Sequence, residues 1–337
     1  MTTLVAGADL GGTTVSIALA TCDGKIVAEA KIPTNSHEGP EAVLARISDQ
    51  VLALAEQAGS RPAAFGLGVP GLVDLKAGTT KFLPNMPTQW RDVEVGKLVV
   101  AKLGCPVKLL NDARAATLGE LRFGLGRSIN SMAMLTLGTG VGGGIAIDGK
   151  LVLGPLGAAG ELGHQRIMPD GPLCGCGQRG CLETLVSGPA FTGEAVRLLK
   201  AGLAPGLHKL VGGDIGKVSP REMAQAAREG DEVLAQSIKR RAGYLGIGVA
   251  NIVTILHPDL VVLTGGVAEM GDILIDPVRT AARKHVGMFP TENVQVEKSV
   301  LGEKAGLLGT IALAAESLAE AKTERPSPML IFERRGR

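Results

Sequence analysis

Residues 135–145 constrain the fold of this chain more than any other stretch. Between the apolar run Leu135-Thr136-Leu137 and Ile145 lie five glycines in the seven residues from Gly138 to Gly144. One turn does not need so many, because each glycine costs roughly 0.5–1 kcal/mol relative to Ala. Such a run is kept where backbone N–H groups must come close to a ligand, above all to phosphate. The same theme opens the chain. Val5 to Leu10 and Val15 to Ala20 read as short strands joined by the turn Gly11-Gly12-Thr13-Thr14. The two units stand roughly 125 residues apart, a weak internal repeat that predicts two related lobes. The second turn is not a P-loop, because no Gly-Lys-Ser/Thr follows, and the strand expected after it does not suit a dinucleotide fingerprint. Two glycine hairpins facing each other from two lobes suit the clamping of a nucleotide's phosphates.

Composition narrows the classes. The chain has 337 residues, 48 of them Gly, but only eight aromatics: six Phe, one Tyr and one Trp. Its core must be built from Ala, Val, Leu and Ile, and its length predicts two domains. A formal charge of +2 argues against a basic face for nucleic acid. So few aromatics argue against stacking platforms for single strands. No apolar run reaches the roughly 18 residues of a membrane span, and the N-terminus lacks the pattern of a signal peptide. These features predict a cytoplasmic protein that binds neither nucleic acid nor membrane. The odd number of Cys, five, fits thiols kept reduced there.

Periodicity predicts a helix over 39–58, strands at Phe65–Val69 and Val107–Leu110, and a helix from Asn111-Asp112 through Glu120. After the second glycine turn, Ile145 to Ile147 reads as a strand. Helices are expected near 188–200, 219–228, 231–256, 272–286 and 305–321, with a strand at Leu260–Leu263. Residues 154–183 read as a long loop rich in Gly and Cys.

Several groups along this framework carry chemistry. Asp9 ends the first strand just before its glycine turn. It can hold a hydrated Mg2+ near phosphates, with the Thr13 and Thr14 hydroxyls adding hydrogen bonds; it can equally cap a plain hairpin. Asp112 reads either as a helix N-cap or as a general base that takes a proton from a substrate hydroxyl in phosphoryl transfer. The most specific local pattern is His164, Cys174, Cys176 and Cys181, spaced His-x9-Cys-x-Cys-x4-Cys. One imidazole and three thiolates complete a tetrahedral structural Zn2+ site with no open position. Cys22 and Cys105 are isolated thiols. The zinc loop would fix two carboxylates, Glu161 and Glu183, suited to hydrogen-bonding the hydroxyls of a sugar. Gly265 and Gly266, after an apolar strand, let a flat ring lie against the backbone.

Taken in order from Asp9 to about Ala315, these motifs resemble the ROK family (repressor, open reading frame, kinase) of bacterial sugar kinases. Two segments carry the resemblance: Gly154-Pro155-Leu156-Gly157-Ala158-Ala159-Gly160-Glu161-Leu162-Gly163-His164 and Cys174-Gly175-Cys176-Gly177-Gln178-Arg179-Gly180-Cys181-Leu182-Glu183. The resemblance implies an α/β fold of two lobes, of the actin, hexokinase and Hsp70 type (ribonuclease H-like), with ATP, Mg2+ and a hexose in the cleft between them. The lobes would be 1–115, rejoined by a helix at 305–322, and 116–304, with 323–337 a loosely ordered basic tail. It implies that Asp9, Gly11, Gly12, Thr13 and Thr14 form a first phosphate motif. Gly138, Thr139 and Gly140 then belong to a second, and Gly265 and Gly266 to an adenosine motif. On the sugar side it implies Gly71 in a connecting segment, Asn85 in Pro84-Asn85-Met86-Pro87-Thr88-Gln89-Trp90, Asn111 beside the base, and Asp112 as that base. Glu161, His164 and Glu183 would hold the sugar hydroxyls, His164 being also a zinc ligand. Trp90 is the one Trp near this segment.

Thr14 and Thr264 depart from the family pattern, both on the nucleotide side. The family's repressor branch adds an N-terminal DNA-binding helix-turn-helix, which is not expected here because the chain starts directly on its first strand. The implied activity is ATP-dependent phosphorylation of a hexose at its 6-hydroxyl, with glucose the first expectation. N-acetylmannosamine, N-acetylglucosamine, fructose and allose are alternative substrates. A non-catalytic sugar-responsive regulator is the alternative from another class. Family resemblance also implies a homodimer or homotetramer.

Overall fold

The computed structural model describes residues 2–84 and 86–323, so Asn85 and the expected basic tail from 324 onward lie outside the described residues. The chain begins with β1 (Leu4–Leu10), β2 (Thr14–Thr21), β3 (Ile26–Pro33), α1 (Pro40–Gln57), β4 (Phe65–Val69), β5 (Leu72–Asp74), β6 (Thr79–Phe82), α2 (Val95–Leu103) and β7 (Val107–Asn111). β7 passes straight into α3 (Asp112–Phe123). A second series follows: β8 (Met132–Leu137), β9 (Val141–Ile147), β10 (Lys150–Leu151), α4 (Leu182–Val186), α5 (Gly188–Lys200), α6 (Pro205–Val211), α7 (Pro220–Arg228) and α8 (Glu232–Leu256). It ends with β11 (Leu260–Thr264), α9 (Asp272–His285), β12 (Gln295–Lys298) and α10 (Ala305–Thr323).

Two five-stranded sheets share one plan, β3-β2-β1-β4-β7 and β10-β9-β8-β11-β12. In each, an antiparallel meander leads into parallel strands on the other side. The repeat foreseen from the two glycine turns is therefore a duplication of a whole sheet, and both turns occupy the same place in it.

Strand alternation divides the apolar side chains between two faces. Ala133, Leu135 and Leu137 of β8 join a core with α4 to α9, while Met132 and Met134 face α3 and α10. In the first sheet, Ala6, Ala8 and Leu10 pack towards α1 and α2, and Val5 towards α10. Helices α3 and α10 thus form a layer between the two sheets. They approach with backbone in contact: a Cβ on Gly309 would overlap the Ala115 carbonyl, and one on Gly119 the Ala305 carbonyl.

The glycine run at 138–144 divides differently from the sequence expectation. Only Gly138 and Gly140 lie in the turn, and β9 already begins at Val141. Gly142 and Gly144 let that strand lie against α3, since a Cβ on Gly142 would sit 2.7 Å from that of Ala113, and one on Gly144 would overlap Thr117. The hairpin β5–β6, α2, α6 and β12 were not legible from periodicity, being short and weakly patterned. Trp90 is 1% exposed and belongs to the core of the first sheet, not to a surface. Among the described residues, no helix is long and apolar enough to cross a membrane.

Candidate active site

The C-terminal ends of parallel strands are where open α/β sheets place ligands, and the expected chemical groups gather there. Asp9 stands at the end of β1, paired in register with Gly68 of β4. Its carboxylate is wedged between glycines: a Cβ on Gly306 would overlap it, and one on Gly68 would come within 3.2 Å of Oδ1. Burial, with the Asp112 carboxylate opposite, pushes the Asp9 carboxyl up to about 7.

The two readings of Asp112 are separated by its neighbour. Asn111 is the N-cap of α3, its Oδ1 accepting from the N–H of Ala113 (3.0 Å) and Arg114 (3.3 Å). Asp112 is the first helical residue, and its carboxylate accepts from Ala113 N–H at 2.8 Å. Burial raises its carboxyl above the usual carboxylate range, with Glu161 adding to the rise and Ala113 N–H, Arg114 and Asn111 opposing it. Asn111 Nδ2 donates to the Gly71 carbonyl at 3.2 Å, tying the connecting segment after β4 to the same corner.

Both glycine turns are braced from behind and open in front. Gly11 N–H donates to Thr14 O (3.0 Å). Thr34 Oγ1 donates to Gly11 O (2.7 Å), and Arg46 Nη1 to Thr34 O (2.7 Å). In the second turn Gly138 N–H donates to Gly140 O (2.9 Å), and Gly188 N–H to Gly138 O (2.8 Å). A Cβ on Gly12 or Gly138 would meet nothing within 4 Å, which leaves room for an anion beside exposed Thr13, Thr14 and Thr139. Gly265 follows β11 with φ of +90°, and a Cβ there would sit 2.6 Å from Leu137 O. Only glycine fits that contact. Gly265 and Gly266 thus lie directly beside the second turn.

The zinc pattern closes into a cluster. The ligand atoms of His164, Cys174, Cys176 and Cys181 all lie within 4.8 Å of one another. Cys174 Sγ is 3.7 Å from His164 Nδ1, and the Sγ atoms of Cys176 and Cys181 are 3.7 Å apart. Zn–S bonds of about 2.3 Å give a tetrahedral edge of about 3.8 Å, so the donor set fits Zn2+. Burial pushes the Cys174 thiol up to about 12 and raises that of Cys181, whereas the Gln178 backbone N–H lowers that of Cys176; a bound cation favours all three thiolates.

The two carboxylates of this loop have separate partners. Glu183 Oε2 accepts from Val141 N–H at 2.8 Å, joining the cysteine loop to the second glycine turn, and its Oε1 lies 3.5 Å from Cys174 Sγ. Glu161 Oε1 pairs with Arg114 at 2.8 Å, and its Oε2 is 3.9 Å from His164 Nε2. Arg114, Thr34 and Arg46 were not singled out from the sequence. Arg114 had a signal, as a lone cation in the run Ala113-Arg114-Ala115-Ala116; Thr34 and Arg46 had none.

The profile of the ROK family matches residues 5–317. The chain belongs to the ROK family. A glucokinase of Thermotoga maritima is 36% identical over 315 residues, which is 93% of this chain and 97% of that one. A xylose repressor of Caldicellulosiruptor bescii is 31% identical over 317 residues, covering 93% of this chain and 78% of the repressor. The crystal structure of a ROK family glucokinase from Streptomyces griseus in complex with glucose and AMPPNP superposes with a TM-score of 0.80 at 36% identity, covering 93% of this chain and 99% of that one. The duplicated sheets are thus the two lobes of the ROK fold, the actin and hexokinase arrangement expected from the motifs.

Proposed function

We propose that this ROK protein is an ATP-dependent hexokinase that phosphorylates glucose at its 6-hydroxyl. The observation that carries the reading is Asp112, relieved of sole capping by Asn111 and facing Asp9 beside two open glycine turns. A carboxylate raised by burial is a stronger base than a solvated one. Asp112 accepts the proton of the sugar 6-hydroxyl as that oxygen attacks the γ-phosphorus of ATP and ADP leaves. The N–H groups around Gly11–Thr14 and Gly138–Gly140 hold the phosphates, and Gly265 and Gly266 take the adenosine. Asp9 would hold Mg2+, a role its wedged and raised carboxyl fits, since a cation there favours the ionised form. When bound, Mg2+ neutralises phosphate charge, and Zn2+ fixes the loop that carries His164.

On the sugar side, Gly71, Asn85, Asn111, Glu161, His164 and Glu183 line the acceptor site in this reading. The lobes are 1–115 with 305–322, and 116–304, and their closure excludes water from the phosphoryl group. The comparisons with glucokinases support glucose as the acceptor. A homodimer or homotetramer in the cytoplasm accords with the family.

The likeness to a xylose repressor favours a second reading, a regulator that binds sugar without turning it over. A coupled assay of ADP release over glucose, N-acetylmannosamine, N-acetylglucosamine, fructose and allose decides between them. Glucose is expected to give the highest kcat/KM. A faster competitor overturns the choice of sugar, and sugar binding with no ADP release from any sugar overturns the kinase reading.

A further inference from the structure

Arg114 is the most fully enclosed cation at the site, with a side chain 1% exposed in the first turn of α3, where its neighbours Ala113, Ala115 and Ala116 are small. A guanidinium leaves water at high cost unless its donors are paired. It has five N–H donors in a rigid fork, and four hydrogen bonds use them here. Nε donates to Ala159 O (3.0 Å), Nη1 to Asn111 Oδ1 (3.0 Å), and Nη2 to Ala158 O (2.9 Å) and Glu161 Oε1 (2.8 Å).

The four acceptors come from two separate pieces of chain. Asn111 sits at the junction of β7 and α3, beside Asp112. Ala158, Ala159 and Glu161 belong to the loop that runs into His164. The pair is also one-sided: the cation is sealed in, while the Glu161 side chain is 47% exposed and open to a ligand. With Oε1 held by Arg114, Oε2 is turned to the side of His164 Nε2. The bond from Nη1 to Asn111 Oδ1 also fixes which end of that amide faces Arg114, leaving Nδ2 for Gly71 O.

We infer that Arg114 is a positioning residue that holds the base-bearing end of α3 and the sugar-side loop 158–161 in one register. The inference rests on the proposed roles of Asp112 and Glu161. It adds that sugar recognition and proton abstraction are set by one buried guanidinium. The charged groups around the Asp112 carboxylate are Asp9 at the end of β1, Glu161 in the loop and Arg114 on α3; of these, Arg114 is the one that favours the ionised form.

The test compares Arg114→Met, Arg114→Lys and Asp112→Asn in the full-length protein, with melting temperature and zinc content measured for each. In Arg114→Met the KM for glucose should rise about tenfold or more while the KM for ATP stays within about twofold, because the lost bonds are charge-assisted and lie on the sugar side. The acid limb of kcat/KM for glucose should move to higher pH. Arg114→Lys keeps the charge and should restore that limb, but one ammonium cannot span the four acceptors, so the glucose KM stays raised.

Wild-type glucose KM in Arg114→Lys overturns the inference, and does so even if Arg114→Met fails to fold. Equal losses for glucose and ATP overturn it too, since they mark a general loss of structure. Turnover surviving in Asp112→Asn refutes the proposed base instead, whatever Arg114 does.

Discussion

Asp9 makes a prediction that couples stability to function. Its carboxyl is wedged between Gly68 and Gly306 and stands at about 7, against an ordinary value of 3.8. An acid whose folded value is raised leaves the folded state holding more protons than the unfolded chain across the interval between the two values. Stability is therefore full below about pH 4 and falls as pH rises towards 7. The shift of about three units, at about 1.36 kcal/mol each, sets an upper bound of about 4 kcal/mol. Asp9→Asn keeps the shape and removes the titration.

The measurement is urea unfolding of wild type and Asp9→Asn at intervals from pH 4 to pH 8, without nucleotide or Mg2+. The advantage of the variant should widen through this range, by at most about 4 kcal/mol. The same substitution should abolish most phosphoryl transfer, because the charge that destabilises the empty site is the one proposed to hold the metal. Adding Mg2+ and ATP should flatten the pH slope of the wild type by favouring the ionised carboxylate. A gap between the two proteins that stays constant from pH 4 to pH 8 refutes the reasoning.

Four further outcomes are expected. Asp112→Asn should lower kcat by about 10²–10⁴ while glucose binding, followed by calorimetry, persists. Cys176→Ser should lose zinc by elemental analysis and raise the sugar KM; a zinc-free wild type would remove the basis for the cluster's role. Gly309→Ala should cost about 1–3 kcal/mol in urea unfolding by overpacking the α3–α10 seam. In contrast Gly193→Ala in α5, where a new Cβ meets nothing within 4 Å, should be neutral or slightly stabilising.

The parts of the site legible in the sequence are those made by residues close together in the chain. His164, Cys174, Cys176 and Cys181 could be read as one cluster because the loop between them is short. The turns at Gly11 and Gly138 could be read because their glycines stand together in the chain between two apolar runs. What escaped depends on distant pairing. Nothing in Thr34 announces that its hydroxyl braces Gly11, since β3 must first fold back beside β2. Trp90 lies within the expected sugar segment but is buried in the core that β4, α1 and α2 also share. Glu183 and Glu161 look like a matched pair in sequence, yet the fold gives one to the Val141 N–H and the other to Arg114. The capping of α3 could not be assigned between two adjacent residues, Asn111 and Asp112, that are both good at it.

The position of α10 in the chain bears on how the protein is made. Its Leu307, Leu308 and Ile311 complete the face of the first sheet, against Val5, Ala18 and Ala20. A ribosome working at roughly ten residues per second releases β1 about half a minute before that helix emerges. Until then β1 and β4 carry an apolar surface without its partner, and the glycines at positions 7 and 66, later pressed against Thr310, leave the strand backbone uncovered. β1 thus waits for a helix made long after it. That interval is the time in which holding by a chaperone, or slower synthesis, would change the yield of active protein.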